Sequence, residues 1–192
     1  MIAPLLGRSG AYLTVSDAAS HLEVSMAALP GLLYRITTPA GSGLAPVAAV
    51  RDGKAEVRFR ATRGDGPDDV RIVLNRDVRW DLGLPAGAGE ADLNLTAGRI
   101  SRLVAGGAGL IEAALPAPER TVPVSFGDVG SAIVTVPPRP ARVRLFMAAG
   151  AGAVETPWGR ALTEPGWAAA PRRYAISFRG GLGRLTVRRS LA

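Results

Sequence analysis

A glycine pair returns at a nearly fixed interval along the middle of this 192-residue chain. The pairs occur in Gly87-Ala88-Gly89, Gly107-Ala108-Gly109, Gly127-Asp128-Val129-Gly130 and Gly150-Ala151-Gly152. Counted on the last glycine of each group, the steps are 20, 21 and 22 residues, and a short apolar segment follows each pair. A repeat of this length predicts stacked β-rungs, in which each turn of the chain lies on its neighbour and glycine forms the corner.

Alternating apolar residues between these corners predict strands. The four apolar residues of segment 78–84 occupy every second position, which places them on one face of a strand but would scatter them around a helix. We therefore expect an all-β, solenoid-like stack that forms a single domain over residues 1–192, with the clearest repeat over 45–189. The side chains expected to point inward are Trp80, Leu82, Leu93, Leu95, Val122, Val124, Val143, Leu145, Ile176 and Phe178.

The two ends of the chain follow the repeat less closely. Residues 11–38 contain three apolar segments that predict strands, or one strand with a short helical turn, and any helix is expected before residue 45. Asp52-Gly53 is a tight-turn signal between two apolar runs and predicts a hairpin. The pattern breaks at 156–173, which is either an insertion or a cap over the open apolar end of the stack.

The amino-acid composition excludes several kinds of catalytic and metal-binding site. The chain has no cysteine, which rules out disulfides, thiolate metal sites and cysteine nucleophiles. His21 is the only histidine, and because no orienting partner for it is evident, it is expected to be an ordinary strand or turn residue. The glycine pairs lack the third glycine and the following helix of a dinucleotide-binding loop. We expect no catalytic residue, cofactor or metal.

The net charge of +7 comes almost entirely from arginine, because Lys54 is the only lysine among 23 basic residues. Codon usage in a GC-rich genome explains this bias, and an anionic partner is the alternative. The aromatic residues do not interleave with the arginines, so no specific nucleic acid is expected. Three outward pairs, Arg58 with Arg60, Arg142 with Arg144, and Arg184 with Arg188, form one basic side if the stack aligns them, unless interleaved acids neutralise them.

Several of these segments resemble a known family. The run from Val78 to Gly89, the closing Pro165-Gly166-Trp167, and Gly180-Gly181-Leu182-Gly183 are similar to the toast-rack β-solenoid domain. This domain occurs in LiaF-type cell-wall-active-antibiotic response proteins and in related adhesin-like proteins of bacteria. The resemblance covers about residues 70–189 and implies stacked β-rungs and a membrane-bound sensor kinase as partner in envelope-stress signalling. The family's preceding transmembrane helices have no counterpart here, and its pattern holds no catalytic residues.

Two functional hypotheses follow. The first is a non-enzymatic scaffold or binding module in the bacterial envelope-stress response or in adhesion. The second is an enzyme acting on envelope polysaccharide, for which Asp92 and Glu112 would have to meet in a concave cleft at a separation of roughly 5 to 10 Å.

The partner-binding candidates are the aromatic and basic residues in and beside the 156–173 segment. They are Trp158, Trp167, Arg142, Arg144, Arg172 and Arg173. A membrane sensor protein or an anionic membrane surface is the expected partner, and a homo-oligomer is left open. The amino terminus lacks the features of a signal peptide, so we expect a cytoplasmic protein that is peripheral to the membrane.

Overall fold

The computed structural model describes residues 1–51 and 54–191. Within these residues the chain forms β-strands and no helix, so they contain no helix that could cross a bilayer. The first strands are β1 (Ile2–Pro4), β2 (Gly10–Val15), β3 (Ala19–Ala27), β4 (Leu32–Thr37), β5 (Leu44–Arg51), β6 (Lys54–Ala61), β7 (Asp69–Asn75), β8 (Arg79–Leu84) and β9 (Ala88–Asn94). The remaining strands are β10 (Arg99–Ala105), β11 (Ala108–Ala114), β12 (Thr121–Phe126), β13 (Val129–Val136), β14 (Arg142–Met147), β15 (Ala153–Glu155), β16 (Arg173–Phe178) and β17 (Leu182–Arg189).

The strands form two sheets that face each other across one core. The eight-strand sheet has the order β14-β16-β12-β10-β8-β2-β6-β5, and the nine-strand sheet has the order β1-β4-β7-β3-β9-β11-β13-β17-β15. A rung consists of one strand from the first sheet and the next strand of the chain from the second, such as β8 with β9. Neighbouring rungs pair in parallel, while β1, β4 and β5 add antiparallel strands at one end. The predicted all-β, solenoid-like stack is confirmed.

The rungs do not stack in chain order. The pair β6–β7 lies outside β2–β3, and the last pair of the chain, β16–β17, lies between β12–β13 and β14–β15. Strands β14 and β15 therefore form the final rung. The segment 156–172 carries the chain from β15 back to the start of β16.

The core follows the predicted alternation. All ten side chains expected to point inward are buried, with at most 3% of their surface exposed. Two large polar-tipped residues have partners inside: the Trp80 indole donates to the Asn75 carbonyl at 2.9 Å, and the Tyr174 hydroxyl donates to the Pro116 carbonyl at 2.7 Å. Phe126 and Phe178 stack across neighbouring rungs with ring centroids 5.1 Å apart. Burial of such a side chain contributes about 1.5 to 3 kcal/mol.

Glycines line up where the strands of the nine-strand sheet begin. A Cβ atom on Gly130 would lie 2.6 Å from the carbonyl oxygen of Gly109, so this approach of backbones excludes any side chain. The next glycine on this column is Gly183, and Gly152 stacks on Gly183 in turn. The glycines that repeat along the sequence therefore stack on one another in the sheet, except that Gly183 of β17 lies between Gly130 and Gly152.

The first third of the chain is more regular than predicted. Strands β2 and β3 form a rung inside the stack, so the repeat begins well before residue 45. The described residues before 45 contain no helix. Strands β5 and β6 pair antiparallel, which confirms the two arms of the predicted hairpin, whereas the Asp52-Gly53 turn lies outside the described residues.

Candidate functional site

The outer face of strands β12, β16 and β14 carries a shallow groove. The register places Ala175 of β16 between Arg144 of β14 and Pro123 of β12. One step along the strands, Ser177 lies beside Phe146. Because the middle strand presents only small side chains between larger ones, a depression of about 280 Å³ remains open to solvent. Its lining is both basic and aromatic.

Trp167 lies beside this groove and holds two arginines. The guanidinium carbons of Arg144 and Arg173 lie 4.0 and 4.4 Å from the indole ring centroid, which is cation–π geometry. The Trp167 indole donates to the Tyr174 carbonyl at 2.9 Å, which fixes the ring against β16. Burial raises the pKa of the Tyr174 hydroxyl above its usual range, so that residue stays neutral beneath the stack.

Arg179 completes this surface. It follows the end of β16, and its side chain reaches back to donate to the Ser125 hydroxyl at 2.6 Å. We call this set of residues, which surrounds the groove, the Arg-Trp patch. It consists of Arg144, Phe146, Trp167, Arg173 and Arg179.

A buried carboxylate anchors the segment that carries Trp167. Glu164 is 1% exposed and accepts hydrogen bonds from Arg142 at 2.9 Å and from Arg189 at 2.6 Å. Its backbone amide donates to the Val143 carbonyl at 2.9 Å, and the Leu145 amide donates to the Leu162 carbonyl at 2.7 Å. The segment thus runs along the outer edge of β14 and fills backbone positions that a further strand would otherwise take.

The structure separates the six candidate residues into two groups. Arg144, Trp167 and Arg173 meet in the patch, and Arg172 is exposed beside them. Arg142 instead pairs with Glu164. Trp158 packs partly against the core and donates to the carbonyl of a neighbouring alanine at 2.8 Å.

Sequence reasoning missed Phe146 and Arg179. The signal for Phe146 was present, since it continues the outward positions of Arg142 and Arg144 along β14 and is 63% exposed. Arg179 gave no signal, because its contact with Ser125 depends on which strand lies next to β16.

The three predicted arginine pairs do not form one basic side. Arg58 and Arg60 lie on β6, at the opposite end of the eight-strand sheet from Arg142 and Arg144. The third pair lies on β17, in the other sheet. The condition for a single basic side is therefore not met, because the pairs lie on distant rungs and on two different sheets.

Asp92 and Glu112 lie opposite each other on β9 and β11, where both side chains are exposed on the outer sheet face. This is not the concave cleft that the enzyme hypothesis required. Among residues 1–51 and 54–191, no group of three or more acidic or histidine side chains is arranged to hold a metal ion.

Comparisons with known proteins bear on the fold. No protein-family model matches the chain, and no curated protein matches it. A solved structure described as a "putative cell adhesion protein" from Clostridium sporogenes ATCC 15579 matches with a TM-score of 0.74 and 16% identity, over 99% of this chain and 97% of that chain. A second, described as a "putative adhesin" from Bacteroides fragilis NCTC 9343, has a TM-score of 0.37 and 11% identity, over 94% of this chain and 93% of that chain. The first match shows a shared fold, and the LiaF-type resemblance stays a prediction.

Proposed function

We propose that this protein is a non-catalytic β-solenoid scaffold of the bacterial cell envelope that binds an anionic membrane surface through the Arg-Trp patch. The observation that carries this proposal is the joint exposure of arginines and an aromatic side chain on one face of a rigid stack. The solved structure of the same fold is described as a "putative cell adhesion protein", which supports a binding role. The resemblance to envelope-stress proteins supports a place at the membrane.

Positive charge is concentrated at this end of the molecule. Residues 139–179 contain seven arginines and two glutamates, and one of the two, Glu164, is buried against Arg142 and Arg189. Neither Arg144 nor Arg172 has an ion-pair partner within the described part of the chain. A basic side chain held near an anionic bilayer contributes about 1 kcal/mol to binding.

Exposed apolar side chains accompany this charge. Phe146 is 63% exposed on the sheet face, and Leu162 is 42% exposed on the segment beside it. In the free protein these apolar side chains are exposed to water. At the boundary between lipid headgroups and acyl chains they would be removed from water, which is favourable, while the arginines contact the lipid phosphates. Charge and apolar exposure together favour a lipid surface over a free anion.

Vesicle co-sedimentation tests the proposal. We expect binding to phosphatidylglycerol-containing vesicles that falls as salt is raised, and little binding to phosphatidylcholine vesicles. The double variant Arg144→Glu/Arg179→Glu, which reverses the charge of two arginines of the patch, should weaken binding at least about 30-fold, since two arginines contribute about 1 kcal/mol each.

The matched control is Arg60→Glu/Arg63→Glu, which makes the same change in net charge at the far end of the stack. Equal loss in the control, or equal binding to both kinds of vesicle, contradicts a lipid-binding patch. Retention on native membranes without vesicle binding also contradicts it and indicates a protein partner instead.

A further inference from the structure

A second concave surface lies on the other sheet, toward the opposite end of the stack. It is a cleft of about 400 Å³ over the outward side chains of β3 and β7. One wall is formed where β4 ends, because Thr37 lies opposite Arg71 and the chain continues as Thr38 and Pro39 beside the sheet face. The volume lies within the range of about 300 to 1,000 Å³ that small-ligand sites occupy.

The floor of the cleft holds paired and unpaired polar groups side by side. Glu23 accepts a hydrogen bond from Arg71 at 2.7 Å, which neutralises that pair. His21 lies directly opposite Asp69 in the parallel β3–β7 register, and both are half-buried.

Several of these polar side chains have free hydrogen-bonding capacity. The His21 ring, the Asp69 carboxylate and the hydroxyl of Thr38 form no side-chain hydrogen bond with the described residues. Half-buried polar groups gain from a partner, so donors and acceptors here are available to a ligand.

The chemistry of the lining restricts the ligand. Asp69 and Glu23 against Arg71 leave an excess of negative charge, which disfavours phosphate and other anions. The described residues offer no set of three ligands for a metal ion. Sugar hydroxyls can donate to carboxylates and accept from a guanidinium or imidazole N–H, and the C–H face of a sugar ring suits the exposed ring of Pro39.

We infer that this cleft is a binding site for a neutral saccharide of one or two rings. The site goes beyond the proposed membrane contact, since it shares no residue with the Arg-Trp patch and lies on the other sheet. An adhesion scaffold with this arrangement holds a lipid surface at one end and a glycan at the other.

Saturation-transfer NMR with defined sugars provides the test. The probes are glucose, galactose, mannose, N-acetylglucosamine, lactose and maltose, followed by calorimetric titration of whichever gives the strongest transfer. We expect saturable binding by at least one probe, weakened at least tenfold in Asp69→Ala and in His21→Ala. Both side chains are only half-buried and form no side-chain hydrogen bond with the described residues, so thermal unfolding should be unchanged.

The matched control is Asp92→Ala, an acid on the same outer face but outside the cleft, which should bind within twofold of the unsubstituted protein. Absence of saturable binding by every probe overturns the inference, as does equal affinity in the cleft variants and the control. Competition by inorganic phosphate also overturns it.

Vesicle binding separates this inference from the proposed function. Asp69→Ala and His21→Ala should bind phosphatidylglycerol vesicles as the unsubstituted protein does. A protein that binds vesicles but no saccharide refutes the cleft alone, and one that binds a saccharide but no vesicles refutes the patch alone.

Discussion

Glu164 is the only charged residue that is buried within residues 1–50 and 54–191. Arg142 and Arg189 both donate to its carboxylate, and these two side chains are themselves only 26% and 18% exposed. Two cations held close together in a partly dry site repel each other unless an anion lies between them. The carboxylate therefore joins the segment after β15 to two strands that lie far apart in sequence.

Replacing Glu164 with Gln should lower the free energy of unfolding by about 3 kcal/mol, because the amide keeps the shape but leaves both arginines without a counter-charge. Urea denaturation at neutral pH measures the effect. The control is Glu155→Gln, on the exposed edge strand β15, for which a change below about 0.5 kcal/mol is expected. Similar losses for the two variants would show that the buried network contributes nothing of its own.

The glycine column of the nine-strand sheet allows neighbouring backbones to approach closely where the strands begin. Gly130→Ala should destabilise the fold by about 2 kcal/mol, since the new Cβ would lie 2.6 Å from the Gly109 carbonyl oxygen and the backbones would have to separate. Gly181→Ala is the control, because the nearest atom to its Cβ is a side-chain oxygen at 3.7 Å. Thermal unfolding of both variants checks this, and an equal loss in the two would mean that the close approach of Gly130 to Gly109 does not explain it, since the lower entropy of the unfolded chain acts in the stabilising direction in both variants.

Individual elements were predictable from the sequence because their signals are local. Trp80 and Leu82 are two residues apart, so a strand places both on one face, and their apolar character indicates that this face is the buried one. The column of glycines was also visible as a spacing. The spacing did not predict the order of the glycines in space, where Gly183 lies next to Gly130 and Gly152 follows Gly183. That order depends on which strand β17 pairs with.

The candidate site was predictable only in part for the same reason. An aromatic-rich segment flanked by arginines pointed to Trp167, Arg144 and Arg173, which do meet. Whether an arginine faces solvent or a carboxylate depends on contacts between residues that are distant in the sequence. Arg142, for example, pairs with Glu164 and does not join the patch. His21 looked ordinary in the sequence because its neighbour Asp69 is brought beside it only by the β3–β7 pairing.

At the scale of the whole molecule, stability should follow position in the stack and not position in the chain. Each rung contacts mainly its two neighbours, so the ends of such a stack open at lower free energy than the middle. Strand β16 is flanked by β12 and β14, although it is the penultimate strand of the chain, whereas β14 has β16 on one side and only a short backbone contact on the other.

Native-state hydrogen exchange distinguishes the two orders. Amides of Arg142–Met147 should exchange at least about tenfold faster than those of Arg173–Phe178, and the latter should match the central strand Arg99–Ala105. Fraying from the chain terminus would give the reverse, with Arg173–Phe178 exchanging first. Faster exchange in β16 would mean that β16 and β17 can detach while the rest of the stack stays folded. Faster exchange in β14, the expected result, means that the rung β14–β15 is stable only while β16–β17 remains paired with it.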